Sequence, residues 1–390
     1  MTANIYVLVG SILLLGFLLG KLLHKAGLTE VLAYILAGVI IGPILKFSAP
    51  EQLTSVITGT TLAFVAYIVG LSFSFAFLKR MGKKVLIILI VEVLMTSLVV
   101  GIFVYLLTRD LPLSVILASL APATAPAGTI AVLRDLRAKG TLTDVSIAVV
   151  GLDDAAAIII YSVGVIWTKS LLGDEVGIAA SLGYPIWEIF GALALGGAFG
   201  LVISYVTKKM HLSSDHIFVI CVAVAILCWG VADLIGVSTI FACMVLGTTV
   251  INFNVHMGNR SSELIDNIMT PVFMLFFAVI GMAIDISQFS TIWAIVIIYC
   301  LGRSVGKILG CSLGGFLSKS EPKLTKYLGF ALLDQAGVAV GLAFLAAQEL
   351  AEYGLGGIII TLMATTTGLF MLSSPFFIQY AIKKAGEANV

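Results

Sequence analysis

Charge is scarce in this sequence. Only 11% of the 390 residues are charged, and acids and bases nearly cancel to a net +1. Nucleic acid is held by clustered positive charge, so that partner is not expected. Cysteine patterns that build metal sites or disulfides are missing too. Cys221, Cys228, Cys243, Cys300 and Cys311 lie inside apolar blocks, with no C-x-x-C spacing and no histidine cluster, and read as small packing residues. No G-x-G-x-x-G follows a strand pattern and no Walker pattern occurs, so no cofactor is expected. No Ser/His or His-rich metal constellation sits within the apolar blocks, which argues against an enzyme. Met1 to Tyr6 carry no basic run, and no small-residue cleavage site follows, so no cleaved signal is expected.

Apolar residues are abundant. They make up 60% of the chain, and the mean hydropathy is +1.14. The excess runs the whole length in blocks of roughly 20 residues, the length that crosses a bilayer's hydrocarbon core as a helix. Spans are expected near 4–23, 28–46, 52–78, 85–108, 112–133, 142–169, 184–206, 214–234, 237–253, 268–285, 290–317, 324–348 and 355–381. The fold class is therefore an all-α integral membrane protein of about 13 transmembrane helices. Loop charges test this count. Most of the 22 basic residues fall in one set of alternate loops. Only Lys46, Arg109 and Lys169 fall in the opposite set, and Arg303 and Lys307 lie inside spans. That bias puts the C-terminus in the cytoplasm and the N-terminus outside, in a multi-pass protein of the cell (inner) membrane.

An odd count permits two six-helix repeats of inverted topology joined by one linker helix. The fifth span of each half is interrupted. Ala121-Pro122-Ala123-Thr124-Ala125-Pro126-Ala127-Gly128 breaks one, and Asp334-Gln335-Ala336-Gly337 breaks the other. Proline removes a backbone donor and clashes with the preceding turn. Matched interruptions in two halves point to a transporter's binding site, where loose carbonyls and amides line a cavity.

The charges left inside the spans are the candidates for function. Asp153 and Asp154 lie midway along span 6, and Lys307 midway along span 11. Adjacent residues on a helix point about 100° apart, so the two carboxylates cannot both face one partner. One can pair with the ammonium while the other stays open to a cation. A salt bridge that only fixed helix packing would leave one acid over. A cation arriving at the acids competes with the lysine, so cation and proton exclude each other. Glu92 in span 4 and Arg303 in span 11 are read as an ion pair within the core, with a cytoplasmic funnel as the other role for Glu92. Asp334 is read either as an accessory of the ion path or as a water-exposed helix-end acid.

Gly151-Leu152-Asp153-Asp154-Ala155 resembles the paired-aspartate motif of the monovalent cation:proton antiporter superfamily, in its electrogenic NhaA/NapA-like branch. The stretch from Leu28 to Pro43 is similar to that family's second-span signature. Pro271–Met282 and Gln335–Gly341 are similar to later ones. The resemblance covers nearly the full length in the right order. It implies an NhaA-like fold, with Asp154 as principal cation ligand and proton acceptor. It further implies that Asp153 and Lys307 form a pair that takes part in proton coupling, and that Thr124 helps to hold Na+. It implies a homodimer: one membrane domain, 1–390, with 1–78 and 214–286 as dimerisation bundle, 85–170 and 290–382 as ion-transport core and 184–207 as linker helix. The expected function is exchange of Na+ (or Li+) for H+, electrogenic because Asp153 and Lys307 are both present. A K+/H+ antiporter of the same superfamily is the alternative, and a cation channel is another. Membrane lipid is the expected surrounding.

Overall fold

The computed structural model describes residues 4–25, 30–173, 178–210, 213–284, 289–335 and 337–389. Leu28 and Thr29 of the second-span motif and Ala336 of the later one lie outside the described residues. Among the described residues there is no strand. The helices are α1 (Ile5–Lys25), α2 (Glu30–Val39, continued by a π-helical turn Ile40–Ile44), α3 (Glu51–Leu71), α4 (Phe75–Thr108), α5 (Leu111–Leu120), α6 (Pro126–Asp135), α7 (Thr141–Leu171), α8 (Ile178–Lys209), α9 (Ser214–Leu234), α10 (Thr239–Phe253), α11 (Val255–Met282), α12 (Phe289–Leu317), α13 (Pro322–Ala331), α14 (Gly337–Glu349) and α15 (Gly356–Ala385). Among the described residues, 9 helices are long and apolar enough to cross a membrane. The shorter apolar helices are Glu30–Ile44, Thr239–Phe253, and α5 and α14, which are each half of an interrupted crossing. Counting α5/α6 and α13/α14 as one crossing each, the segments follow the expected order.

Two expected boundaries move. The apolar run 52–78 is not one helix: α3 stops at Leu71, and α4 starts at Phe75. One side chain makes that break cheap, because Asn252 accepts from the Phe75 N–H (2.7 Å) and donates to the Phe73 carbonyl (2.8 Å). α11 begins at Val255, well before the expected 268. Its first turns are polar, and the Asn254 side chain caps them by accepting from the Met257 N–H at 3.2 Å.

The chain forms two compact units: Met1–Ala49, Met81–Gly173 and Phe277–Val390 make one, and Pro50–Arg80 with Asp174–Phe276 the other. In the second, the Tyr67 and Ser261 hydroxyls hydrogen-bond at 3.0 Å in the core. In the first, α4 and α12 approach backbone to backbone. Gly306, Gly310 and Gly314 recur every fourth residue along one face of α12. A Cβ on each would lie 2.7, 2.7 and 2.8 Å from the Cα of Thr96, Glu92 and Ile88 respectively. Small residues at that spacing let helices pack closely in hydrocarbon, where apolar burial supplies no drive. The other side of α4 exposes Ile90, Leu94, Leu98 and Leu106, and α12 exposes Ile297 and Leu301. Apolar faces of that extent suit lipid rather than water.

Candidate functional site

The site is built on the two interrupted crossings. Asp110 caps α5 by accepting from the Leu113 N–H at 2.9 Å, and the helix ends at Leu120. Pro122 and Pro126 stop it from continuing, and Pro126 opens α6, where a missing N–H costs nothing. On the other side α13 ends at Ala331, and the chain stays non-helical through Gln335. The extended segments touch: the Ala125 N–H donates to the Asp334 carbonyl at 3.2 Å.

Ala121, Ala123, Leu333 and Asp334 at these breaks are buried, so each freed carbonyl needs a donor from the protein. Arg303, fully buried, supplies them to both. Its Nε donates to the Ala121 carbonyl (2.9 Å), Nη1 to Leu333 (2.8 Å), and Nη2 to Ala123 (2.8 Å) and Asp334 (3.0 Å). The Phe370 ring of α15 lies 4.5 Å from the guanidinium carbon. The rigid fork of arginine suits this work, and a lysine's point charge does not.

Lys307, one helical turn further, takes the other role. Its ammonium donates to Asp153 Oδ2 (2.8 Å), to Thr124 Oγ1 (2.7 Å) and to the Pro122 carbonyl. It also pairs with Glu92 Oε1 at 2.8 Å, and Lys307, Glu92 and Asp153 are all fully buried. Thr124 hydrogen-bonds Asp153 Oδ2, and Thr96 donates to Glu92 Oε1 at 2.9 Å. Asp153 Oδ1 and Glu92 Oε2 are buried with no partner among the described residues. Asp154 points elsewhere: its carboxylate has no hydrogen bond or ion pair among the described residues, and 6% of the residue is exposed.

Glu92 therefore does not pair with Arg303, as the sequence suggested. The glycine stripe places Glu92 alongside Gly310, nearer Lys307, while Arg303 is consumed by carbonyls. Asp334 is neither solvated nor in contact with Lys307. It is buried, and its Oδ1 accepts from Ser374 of α15 at 2.7 Å. Its Oδ2 lies 2.0 Å from where a Cβ on Gly128 would stand, so only glycine there admits the carboxylate to the first turn of α6. The Pro122 carbonyl is one of the loose carbonyls expected at the break. Thr96 and Ser374 were not anticipated. Thr96 was legible as the residue four after Glu92 on one helix face. Ser374 carries no local signal.

Matched broken helices that gather buried acids around an ammonium define a secondary transporter of monovalent cations. The chain belongs to the sodium/hydrogen exchanger family, whose transmembrane domain matches residues 10–379, and its reaction is the exchange of Na+ for H+. The fold is similar to that of the sodium proton antiporter MjNhaP1 from Methanocaldococcus jannaschii at pH 8. The TM-score is 0.79, with 20% identity over 97% of this chain and 97% of that one. A 3D EM map of the same antiporter aligns with a TM-score of 0.74 and 18% identity over 100% of both chains. Likeness at that identity carries the fold alone. Comparison with curated protein sequences found no match.

Proposed function

We propose that Na+ and H+ compete at Asp154, with Asp153 and Thr124 completing the cation's oxygen ligands, and that alternating access exposes this site to each side in turn. The carrying observation is that two adjacent buried carboxylates are unequally served: Asp153 is held by Lys307 and Thr124, and Asp154 by nothing described. A hard monovalent cation takes oxygen ligands, and the unpartnered Asp153 Oδ1 is available beside Asp154. Around the two breaks, the described buried residues include four acids (Glu92, Asp153, Asp154, Asp334) and two bases (Arg303, Lys307). Neutrality at depth therefore calls for positive charge from outside, which protons or Na+ supply. Asp154→Asn keeps the shape and removes the one acid assigned to the exchanged ion. In proteoliposomes carrying a Na+ gradient, this variant is expected to show no proton movement above that of empty vesicles. Wild-type flux from Asp154→Asn would remove the assigned ligand.

Exchange is proposed to be electrogenic: Na+ displaces Lys307 from Asp153, and the lysine gives up its proton together with Asp154. A second reading follows from Glu92. With Glu92 as another counter-ion at 2.8 Å, Lys307 can keep its proton when Asp153 is taken, leaving one proton per Na+. Flux at clamped membrane potential separates the two. Electrogenic exchange changes rate with potential in the wild type. The electroneutral reading expects indifference in the wild type and potential dependence in Glu92→Gln.

The remaining assignments follow the same reading. No cofactor and no catalytic chemistry are required, since both substrates are ions. The proposed setting is the cell (inner) membrane with the C-terminus in the cytoplasm, supported by the basic loops. A homodimer is proposed, with 1–78 and 214–286 forming the dimerisation bundle, 184–207 the linker, and 85–170 with 290–382 moving as the transport core.

A further inference from the structure

α7 carries both aspartates of the proposed site, yet it has no cap of its own. Its N-cap position is Gly140, which has no side chain to offer the first-turn amides. A distant residue does that work. After α15, Gly386 (φ 73°) turns the chain, and Glu387 reaches the start of α7. Its Oε1 accepts from the Leu142 N–H at 2.9 Å, and its Oε2 from the Thr143 N–H and the Thr143 hydroxyl, both at 2.8 Å. The carboxylate thus satisfies both amides an N-cap serves, and its charge faces the positive end of the helix.

The same segment grips the connection between α6 and α7. The Lys139 N–H donates to the Glu387 carbonyl at 3.0 Å, and the Asn389 N–H to the Leu136 carbonyl at 3.0 Å. The Asn389 side chain donates to the Arg137 carbonyl, also at 3.0 Å. Gly140 is shaped for this contact. Its φ is 153° with ψ −177°, and a Cβ there would stand 2.3 Å from the Glu387 carboxyl carbon. Backbone of that kind is open essentially to glycine alone.

We propose that Glu387 is a positioning residue for the exchange reaction: residues 386–389 clip the end of α15 to α6 and α7 so that the aspartates keep their place beside the crossing. Each clipped element leads to the proposed site or its surroundings. α7 carries Asp153 and Asp154, and α6 continues from Thr124. α15 bears Phe370 against Arg303 and Ser374 against Asp334. A helix is stiff enough to carry a displacement from Thr141 to Asp153, roughly 18 Å along its axis. The clip therefore sets where the cation ligands stand, without touching the cation.

This inference rests on the assignment of Asp154 as ligand, and the test separates the two. Full-length wild type, Glu387→Ala, Gly140→Ala, Glu387→Gln and Asp154→Asn are reconstituted at equal amounts of folded protein, measured by size exclusion. KM for Na+ and maximal rate are then read separately. Glu387→Ala is expected to raise KM about five- to tenfold, the scale of losing one helix cap, with a smaller change in maximal rate. Gly140→Ala, which displaces the clip while leaving the carboxylate in the chain, is expected to do the same. Glu387→Gln keeps one acceptor oxygen and is expected to fall between. If both alanine variants keep the wild-type KM per folded molecule, the clip is only structural and the proposal is overturned. An active Asp154→Asn protein instead overturns the site assignment, whatever the Glu387 variants do.

Discussion

Lys307→Ala is expected to bring Na+-driven proton flux to background and to destabilise the protein by about 3–5 kcal/mol. Two fully buried carboxylates, Asp153 and Glu92, share this ammonium at 2.8 Å each, and Thr124 and Pro122 accept from it as well. Removing one partner of a buried ion pair costs more than the pair contributes, because the charge left behind stays out of water. Here two charges are left behind. Thermal unfolding in detergent checks the stability loss, and proton flux against external pH checks the coupling. Flux is expected to stay at background at every external pH. An unchanged profile with wild-type melting would show that Lys307 neither holds the acids nor takes part in exchange. Lys307→Arg keeps the charge but brings a planar fork into a place shaped for a compact ammonium. It is expected to restore most of the stability and little of the flux.

The second large effect is expected at Arg303. Arg303→Met preserves length and apolar stem, and withdraws donors from four carbonyls, those of Ala121, Ala123, Leu333 and Asp334. An unsatisfied buried polar group costs about 1–3 kcal/mol, so four together exceed about 4 kcal/mol even with partial relaxation. That is a large share of a typical domain's whole stability, about 5–15 kcal/mol. The variant is expected to be recovered folded in much lower yield and to melt well below wild type. Arg303→Lys, whose donors radiate from one atom, is expected to recover only part of the loss. Should Arg303→Met melt with the wild type, the two extended segments hold each other without the clamp.

Arg303 and Lys307 thus divide a task that their spacing alone leaves undivided. Both are basic, four residues apart, on one face of α12, and both are buried. One neutralises the carbonyl ends of the broken helices. That leaves the other free to serve the carboxylates of Asp153 and Glu92. Glu92 joins the second group because α12 presents glycine every fourth residue to α4. The Gly302-Gly306-Gly310-Gly314 series is visible in the sequence, and so are Ile88, Glu92, Thr96 and Val100 on the facing helix. Neither pattern states which helix the other meets, so the Glu92–Lys307 pair could not be read from them.

Legibility followed the range of the interaction. Apolar blocks of bilayer length, the two breaks at Pro122/Pro126 and near Asp334, and the acids inside span 6 are each local in the chain. The missed boundary at Ser72 was not local. It depends on Asn252, nearly two hundred residues away, satisfying both ends of the break. The clip at Glu387 is hidden for the same reason, since an exposed-looking acid after the last helix gives no hint that it caps α7.

The sequence by itself determined that the chain lives in a bilayer as a bundle of helices, where two crossings open and which ionisable groups are stranded at depth. Hydrocarbon imposes these outcomes residue by residue, through length, hydropathy and the need to satisfy every backbone group. Only the tertiary structure decided which stranded charge faces which, because partners on different helices are chosen by packing register. A shift of one turn on α12 would bring Lys307 to the place of Arg303 and carry Arg303 away from the breaks.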